Sequence, residues 1–397
     1  MFSSSSSFSA PSRSSFFRRN WFYVTFTMLF FSVHLNDLPL GANALTTTST
    51  WNAIRHTPGE NDWRGCDISR DGSVMAAAIY RGGIWVSKNA GERWTQTNSR
   101  STILWTTIKI ADSDPDVMIA MAARSHIYKT SDGGQSWFNI TEGGGGSSSA
   151  MRQPSDGRLP WWTEIAMSND GQYLLATAFN ERTWVSNDYG ATWSAAKLST
   201  TGADVGTGSW VGCDISADGR YQIFVGAPNY LHVSNDYGAT FTPTTGNTAG
   251  FTDYWQTARV SDSGQYMMAI VENLGYIHVS NDYGVTWTRI STPTGINTQN
   301  YRYCDVSGDG SVMMASIGDG YLVRSEDYGV TWSYLDGATD PGSREWTNIA
   351  ISGDGKNILA ISSGSHLYYG QFKCVSGTYG TYPSCQSCPE ATCSFGG

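Results

Sequence analysis

From Trp63 onward the chain alternates short apolar runs with polar turns that carry Gly, and the pattern keeps returning. One run opens on an aromatic residue and then shows apolar side chains two apart: Cys66/Ile68, Ile108/Ile110, Ile165/Met167, Cys213/Ile215, Cys304/Val306 and Ile349/Ile351. A period of two puts those side chains on one face of a β-strand. A continuous apolar run follows, such as 173–178, as expected for a strand covered on both faces. A third short run, such as 183–185, leads into a second polar turn, and a fourth strand follows that turn. The unit is therefore four short strands.

The two turns are themselves repeated. The first reads Ser-x-Asp-Gly and ends at Gly72, Gly171, Gly219, Gly310 and Gly355, with Ser-Asp-Ser-Gly ending at Gly264. The second reads Ser-x-Asp-x-Gly-x-Thr-Trp, best seen from Ser186 to Trp193. The lead aromatics fall at 63, 105, 162, 210, 255, 301 and 346, and Trp105 opens a degenerate copy. Four-stranded units with a period near 45 residues are blades of a β-propeller. The fold class expected is all-β, a seven-bladed β-propeller over 45–373. The seventh unit lacks its fourth strand, and residues 48–55 resemble one, so the N-terminal strand is expected to close the last blade and leave no open sheet edge.

The second turn resembles the Asp-box, the bacterial neuraminidase repeat of sialidases, sortilin-type receptors and photosystem II assembly factors. The resemblance covers 50–373 and specifies architecture far better than function. It implies a structural role for Asn89, Asp132, Asp188, Asp236, Asp282 and Asp327. Each would accept backbone N–H bonds in its own turn, with Gly supplying positive φ. A carboxylate cluster is the rival reading, but these residues lie around the rim of a ring. The lead aromatics are expected to pack between blades rather than to bind a ligand at the channel mouth.

Both ends differ from the repeats. Residues 1–44 combine Arg13, Arg18 and Arg19 with an apolar run from Trp21 to Val33 and an Ala42-Asn43-Ala44 site. They read as a secretory signal peptide, leaving no membrane span after cleavage. The Ser-rich, acid-free start and Arg18-Arg19 also fit a bipartite signal for the plastid thylakoid lumen. The tail, 374–397, holds Cys374, Cys385, Cys388 and Cys393. It resembles an ephrin-receptor-like cysteine-rich motif, which implies disulfides; a zinc site is the alternative for its Cys-x-x-Cys. Cys66, Cys213 and Cys304 share one strand position in non-neighbouring blades and are expected to be buried and unpaired. Asn139-Ile140-Thr141 is a glycosylation sequon.

Charge narrows the partners. With 25 Lys+Arg against 34 Asp+Glu the formal charge is −9, which speaks against nucleic acid. Aromatics at 13% exclude a disordered chain. The sequence contains no metal cluster, nucleophile elbow or phosphate loop, so no cofactor, metal or catalytic residue is expected. On the innermost strands a variable position carries Asp67, Lys109, Asp214, Arg259 and Asp305, which predicts ion pairs between blades as Asp67–Lys109 and Asp214–Arg259–Asp305.

Because the repeated turns occupy one face, the other face is the candidate binding surface. Its loops carry Tyr80, Arg81, Arg124, His126, Phe179, Glu181, Arg182, Tyr230, Glu272 and Asp319. A sialidase would need three Arg, a Tyr–Glu pair and an acid; Arg81, Arg124 and Arg182 lie on that face, but the family's Arg-Ile-Pro motif is missing. Glu272 and Asp319, on neighbouring blades, could meet the spacing that glycoside hydrolysis needs, but the flanking Gly275, Gly318 and Gly320 predict open turns with both acids exposed. The function expected is a secreted, monomeric, non-catalytic module that binds a glycan or an extracellular protein. A lumenal photosystem II assembly factor and a glycoside hydrolase are the alternatives.

Overall fold

The computed structural model describes residues 47–54, 61–141, 151, 159–227, 230–244, 254–272, 275–290, 299–335, 342–364, 366–374, 378–379 and 386–387. The 1–44 segment and Cys385, Cys388 and Cys393 lie outside them. Of Cys374 and Tyr230 only the backbone is described.

All regular structure among these residues is β. Five antiparallel four-stranded sheets are present, together with an eight-stranded one in which two four-strand runs join. The inner strands are Trp63–Ile68, Trp105–Ile110, Trp161–Met167, Gly208–Ile215, Trp255–Val260, Tyr301–Val306 and Trp346–Ile351. Each packs on the next in chain order, and the last packs back on the first. The N-terminal strand Thr47–Ile54 pairs antiparallel with Leu367–Cys374 from Thr47↔Cys374 to Ile54↔Leu367, completing the Trp346 sheet. The chain is a β-propeller.

The second strands are buried on both faces, as in Met75–Ile79 and Met118–Ala122. Outside the Trp346 sheet the fourth strands are only two residues long and begin directly after the turn aromatic, as Thr95–Gln96 follows Trp94 and Thr242–Pro243 follows Phe241. Trp63, Trp105, Trp162, Tyr301 and Trp346 are fully buried. Trp63 sits in a cluster with Ala77 and Ile79 of its own sheet and with Leu359 and Ile361 of the Trp346 sheet. The lead aromatics therefore fill the seams, where truncation of a Trp costs about 3–5 kcal/mol.

Two features bring the inner strands close around the axis. Each strand bulges just after its lead aromatic, as between Trp63 and Gly65 and between Trp210 and Gly212. At Gly65 a Cβ would lie 2.5 Å from the Thr107 Cα, and at Gly212 2.6 Å from the Thr257 Cα, so only glycine fits. Backbone bonds then link the first turns into a belt. Asn169 donates to the Ala217 carbonyl at 3.0 Å, Ala217 to Asp262 at 3.0 Å, Asp262 to Gly308 at 2.9 Å, Gly308 to Gly353 at 2.9 Å, and Gly353 to Arg70 at 2.8 Å. At the degenerate copy the Arg70 N–H instead meets the Asp112 carboxylate at 2.7 Å.

The strand spans correct one assignment. Phe179 and Glu181 are not loop residues: their strand runs Leu174–Glu181. It pairs Phe179 with Ser209 and Glu181 with Gly208, which joins two runs into the eight-stranded sheet. Extended backbone finds its hydrogen-bond partners in the next inner strand, and Glu181 is buried as a result.

Candidate functional site

The second turns are self-contained. In the 186–193 copy the Asp188 Oδ1 accepts the Ser186 hydroxyl at 2.9 Å and the Thr192 N–H at 2.8 Å. Its Oδ2 accepts the Thr192 hydroxyl at 2.6 Å, and the Ser186 Oγ accepts the Gly190 N–H at 3.0 Å. Asp132, Asp236, Asp282 and Asp327 repeat this network. Asn89 reproduces it in part, accepting the Arg93 N–H at 2.9 Å. The Ser136 hydroxyl and N–H hold the Asp132 carboxyl down to about 2. These side chains are spent on their own turns.

The axis holds a buried polar network. Glu164 accepts from the Arg259 guanidinium at 2.6 Å and from the Tyr303 hydroxyl at 2.6 Å, both on Oε1. Arg259 lies 4.5 Å from the Tyr303 ring centroid and donates to the Thr257 hydroxyl at 2.8 Å. Both Glu164 and Arg259 are buried. Their strands are not neighbours: the inner strand Gly208–Ile215 stands between them, and the pair bridges past it. A second layer lies one step along the strands. The Lys109 ammonium stands 3.4 Å from Asp67, and Arg259 Nε 3.8 Å from Asp305. Asp214 accepts the Val260 N–H at 2.8 Å rather than the Arg259 guanidinium. Asp67 and Asp305 bond the next strand in the same way, through the N–H of Ile110 and Ile351 at 2.7 Å. Burial pushes the Asp305 carboxyl up to about 7, although Lys109 and Arg259 pull against it. Two expected pairs thus form, the third does not, and Glu164 and Tyr303 were missed.

On the face opposite the repeated turns, the loop tips bond to the approach of an inner strand. Arg81 donates its N–H to the Ile103 carbonyl at 3.1 Å, and the Arg344 N–H meets the Gly320 carbonyl at 3.0 Å. Arg81, Arg124 and Asp319 adopt positive φ of 62°, 53° and 57°, where glycine or asparagine would be less strained. Arginines stack on aromatic rings here: Arg124 over Trp161 at 4.4 Å, Arg64 over Tyr80 at 5.2 Å, Arg81 over Tyr80 at 5.8 Å and Arg344 over Tyr368 at 4.6 Å. Tyr254 on this face is 60% exposed.

The remaining candidates are engaged locally. Arg182 pairs with Asp204 at 3.0 Å, so it does not join Arg81 and Arg124 in a carboxylate grip. His126 Nδ1 contacts the Thr141 hydroxyl at 2.7 Å, and that hydroxyl lies 2.6 Å from the Asn139 side-chain oxygen. Glu272 is held by Arg302 at 2.5 Å, while Asp319 sits in its turn. Tyr230 opens a strand, Tyr230–Ser234. Cys66, Cys213 and Cys304 are buried and free. Among the described residues no group of His, Cys, Asp and Glu is placed to hold a metal, and no helix is long and apolar enough to cross a membrane.

No protein-family model and no curated protein matches the chain. Solved structures do. YCF48 from Cyanidioschyzon merolae is 15% identical, with a TM-score of 0.58 over 81% of this chain and 98% of that one. A structure of YCF48 bound to D1 peptide is 14% identical at TM-score 0.58, over 81% and 96%. A GH74 xyloglucanase from Xanthomonas campestris is 15% identical at TM-score 0.56, over 80% of this chain and 52% of its own length. The chain therefore spans about half of that enzyme. At such identities the likeness carries the fold alone: this protein is similar to single-chain and enzyme-borne β-propellers, and shares their architecture.

Proposed function

We propose that the protein is a secreted, seven-bladed Asp-box propeller with a disulfide-bonded tail, acting as a non-catalytic module that binds a protein partner. Removal of 1–44, glycosylation at Asn139 and bridges among Cys374, Cys385, Cys388 and Cys393 belong to this reading. The observation that carries it is the arginine–aromatic surface, with Arg124 on the half-buried Trp161 and Arg344 covering the buried Tyr368. Arginine and aromatic side chains dominate the energetic centres of protein interfaces. A hydrolase reading needs two opposed carboxylates, and Glu272 is instead bound to Arg302. The test is capture of a partner from the extracellular fraction. It is expected to be retained by the wild type and lost from the Arg124→Ala/Arg344→Ala variant; equal capture by both sinks the reading.

A second reading, a lumenal assembly factor, is favoured by the coverage of 98% and 96% of two YCF48 chains, one with D1 peptide bound. Localising the tagged full-length chain separates the two. Lumenal fluorescence together with anisotropy-detected binding of a D1 peptide supports the second reading. A chain found in the medium overturns it.

A further inference from the structure

The second turns carry a residue whose presence the fold does not explain. In four consecutive sheets the position before the turn Gly is tyrosine: Tyr189, Tyr237, Tyr283 and Tyr328, with φ of 62°, 62°, 64° and 61°. A tyrosine in the left-handed region is strained. The same turn closes with Ala90 in the Trp63 sheet and Gly133 in the Trp105 sheet, so tyrosine is not required there. Each of the four is 40–49% exposed.

Three of these rings are held from behind. Tyr237 lies against Tyr173 at 5.2 Å, Tyr283 against Tyr221 at 4.8 Å, and Tyr328 against Tyr266 at 4.6 Å between centroids. In every pair the supporting tyrosine comes from the preceding four-strand run. The interplanar angles are 30–33°, so one face of the ring is backed and the other faces outward. Two positions before Tyr189, Tyr237 and Tyr283 stands an exposed asparagine: Asn187, Asn235 and Asn281. The intervening Asp is committed to its turn, leaving the Tyr237 and Tyr283 tips an uncharged aromatic plus an amide, whereas at Tyr189 the Lys129 ammonium stands 5.3 Å from the ring centroid.

We propose that this rim of pre-oriented tyrosines binds a neutral, β-linked polysaccharide. An all-equatorial pyranose presents a flat C–H face to an aromatic ring, and its hydroxyls bond to amides. The Tyr237 and Tyr283 tips are copies of each other, while Glu326 replaces the Asn beside Tyr328; a polymer of identical sugars is the ligand that repeats likewise, and a folded protein is not. A single ring contributes weakly, and the chain gains affinity by engaging several in turn. This surface lies on the repeated-turn face, opposite the arginine–aromatic surface, so the two can fail separately.

The test is native electrophoresis of the full chain in gels containing soluble mixed-linkage β-glucan. Retardation is expected. The Tyr237→Ala/Tyr283→Ala variant, with the alanine that Ala90 shows the turn accepts, is expected to bind about tenfold more weakly with its melting temperature retained. Arg124→Ala is expected to bind like wild type. Absence of retardation overturns the proposal, as does undiminished retardation of the tyrosine variant. So does sedimentation of the wild type with phosphatidylcholine vesicles in place of glucan binding.

Discussion

Glu164 and Arg259 meet at 2.6 Å from strands that are not neighbours in the ring, and both side chains are buried. Such a pair bridges past the intervening inner strand Gly208–Ile215, with the Tyr303 hydroxyl as a second donor to Glu164. Removing one partner leaves an uncompensated buried charge, which costs about 3–5 kcal/mol. Glu164→Gln is therefore expected to lower stability by that order in urea unfolding. Tyr303→Phe deletes one hydrogen bond to a charged group, a loss of about 1.5–3 kcal/mol. A Glu164→Gln variant as stable as the wild type removes the network from the list of things that hold the ring.

The Asp305 carboxyl gives the ring a pH dependence with a definite sign. Burial raises it to about 7, against the pull of Lys109 and Arg259 and with Asp214 adding to the rise. Its unfolded value is about 3.9, so the folded state binds the proton more tightly. This group's contribution to stability is full below pH about 4 and is lost as pH rises through about 7. Asp112, raised by burial to about 6, acts in the same direction. Asp305→Asn keeps an acceptor for the Ile351 N–H. It is expected to flatten the decline in stability between pH 4.5 and 8 and to exceed the wild type at pH 8. An unchanged slope places the dependence elsewhere.

Internal comparison predicts how the second turns tolerate change. Asn89 supplies the acceptor for the Arg93 N–H where other copies use Asp. Asp282→Asn is thus expected to cost little, whereas Asp282→Ala orphans the Thr286 N–H and hydroxyl. Because Thr286 is exposed and water can take the acceptor's place, the loss is the net worth of the bonds, about 0.5–1.5 kcal/mol each. Thermal unfolding of the two variants side by side is the measurement, and equal melting points for both contradict the turn-stapling role.

The fold was legible because one unit recurs with the same two turns, and a period of two in each inner strand fixed which side chains face the seams. Cys66, Cys213 and Cys304 were readable as buried thiols for the same reason. The axial network was half legible. Asp67 with Lys109 follows from strand position alone, but Glu164 sits two residues earlier in the unit, beyond the bulge at Trp162/Glu164. Its partner lies two inner strands further on, and spacing along the chain carries no record of that contact. Phe179 and Glu181 were misplaced because the polar run 180–182 looks like a turn, while backbone pairing with Gly208 and Ser209 extends the strand through it. The tyrosines of the second turns were visible in four copies, yet only their φ and exposure set them apart from the turn's structural residues.

Ring closure rests on Thr47–Ile54, the strand farthest in sequence from the one it covers. Without it, Leu367–Cys374 presents eight residues of unpaired edge, and Ile54 no longer packs with Trp63, Leu359 and Leu367. Two consequences follow from different physics. Loss of the buried Ile54 side chain destabilises the seam by about 2–5 kcal/mol, the usual cost of emptying such a site. The bare edge offers a template for another chain, which is how open sheets associate. Deleting 47–54 is therefore expected to lower the melting temperature and to shift the protein toward dimers and larger species in size-exclusion chromatography. Ile54→Ala separates the effects: it lowers the melting temperature but leaves the backbone pairing, so the monomer peak stays. A deletion variant that remains monomeric and melts like the wild type shows that the ring closes without its N-terminal strand.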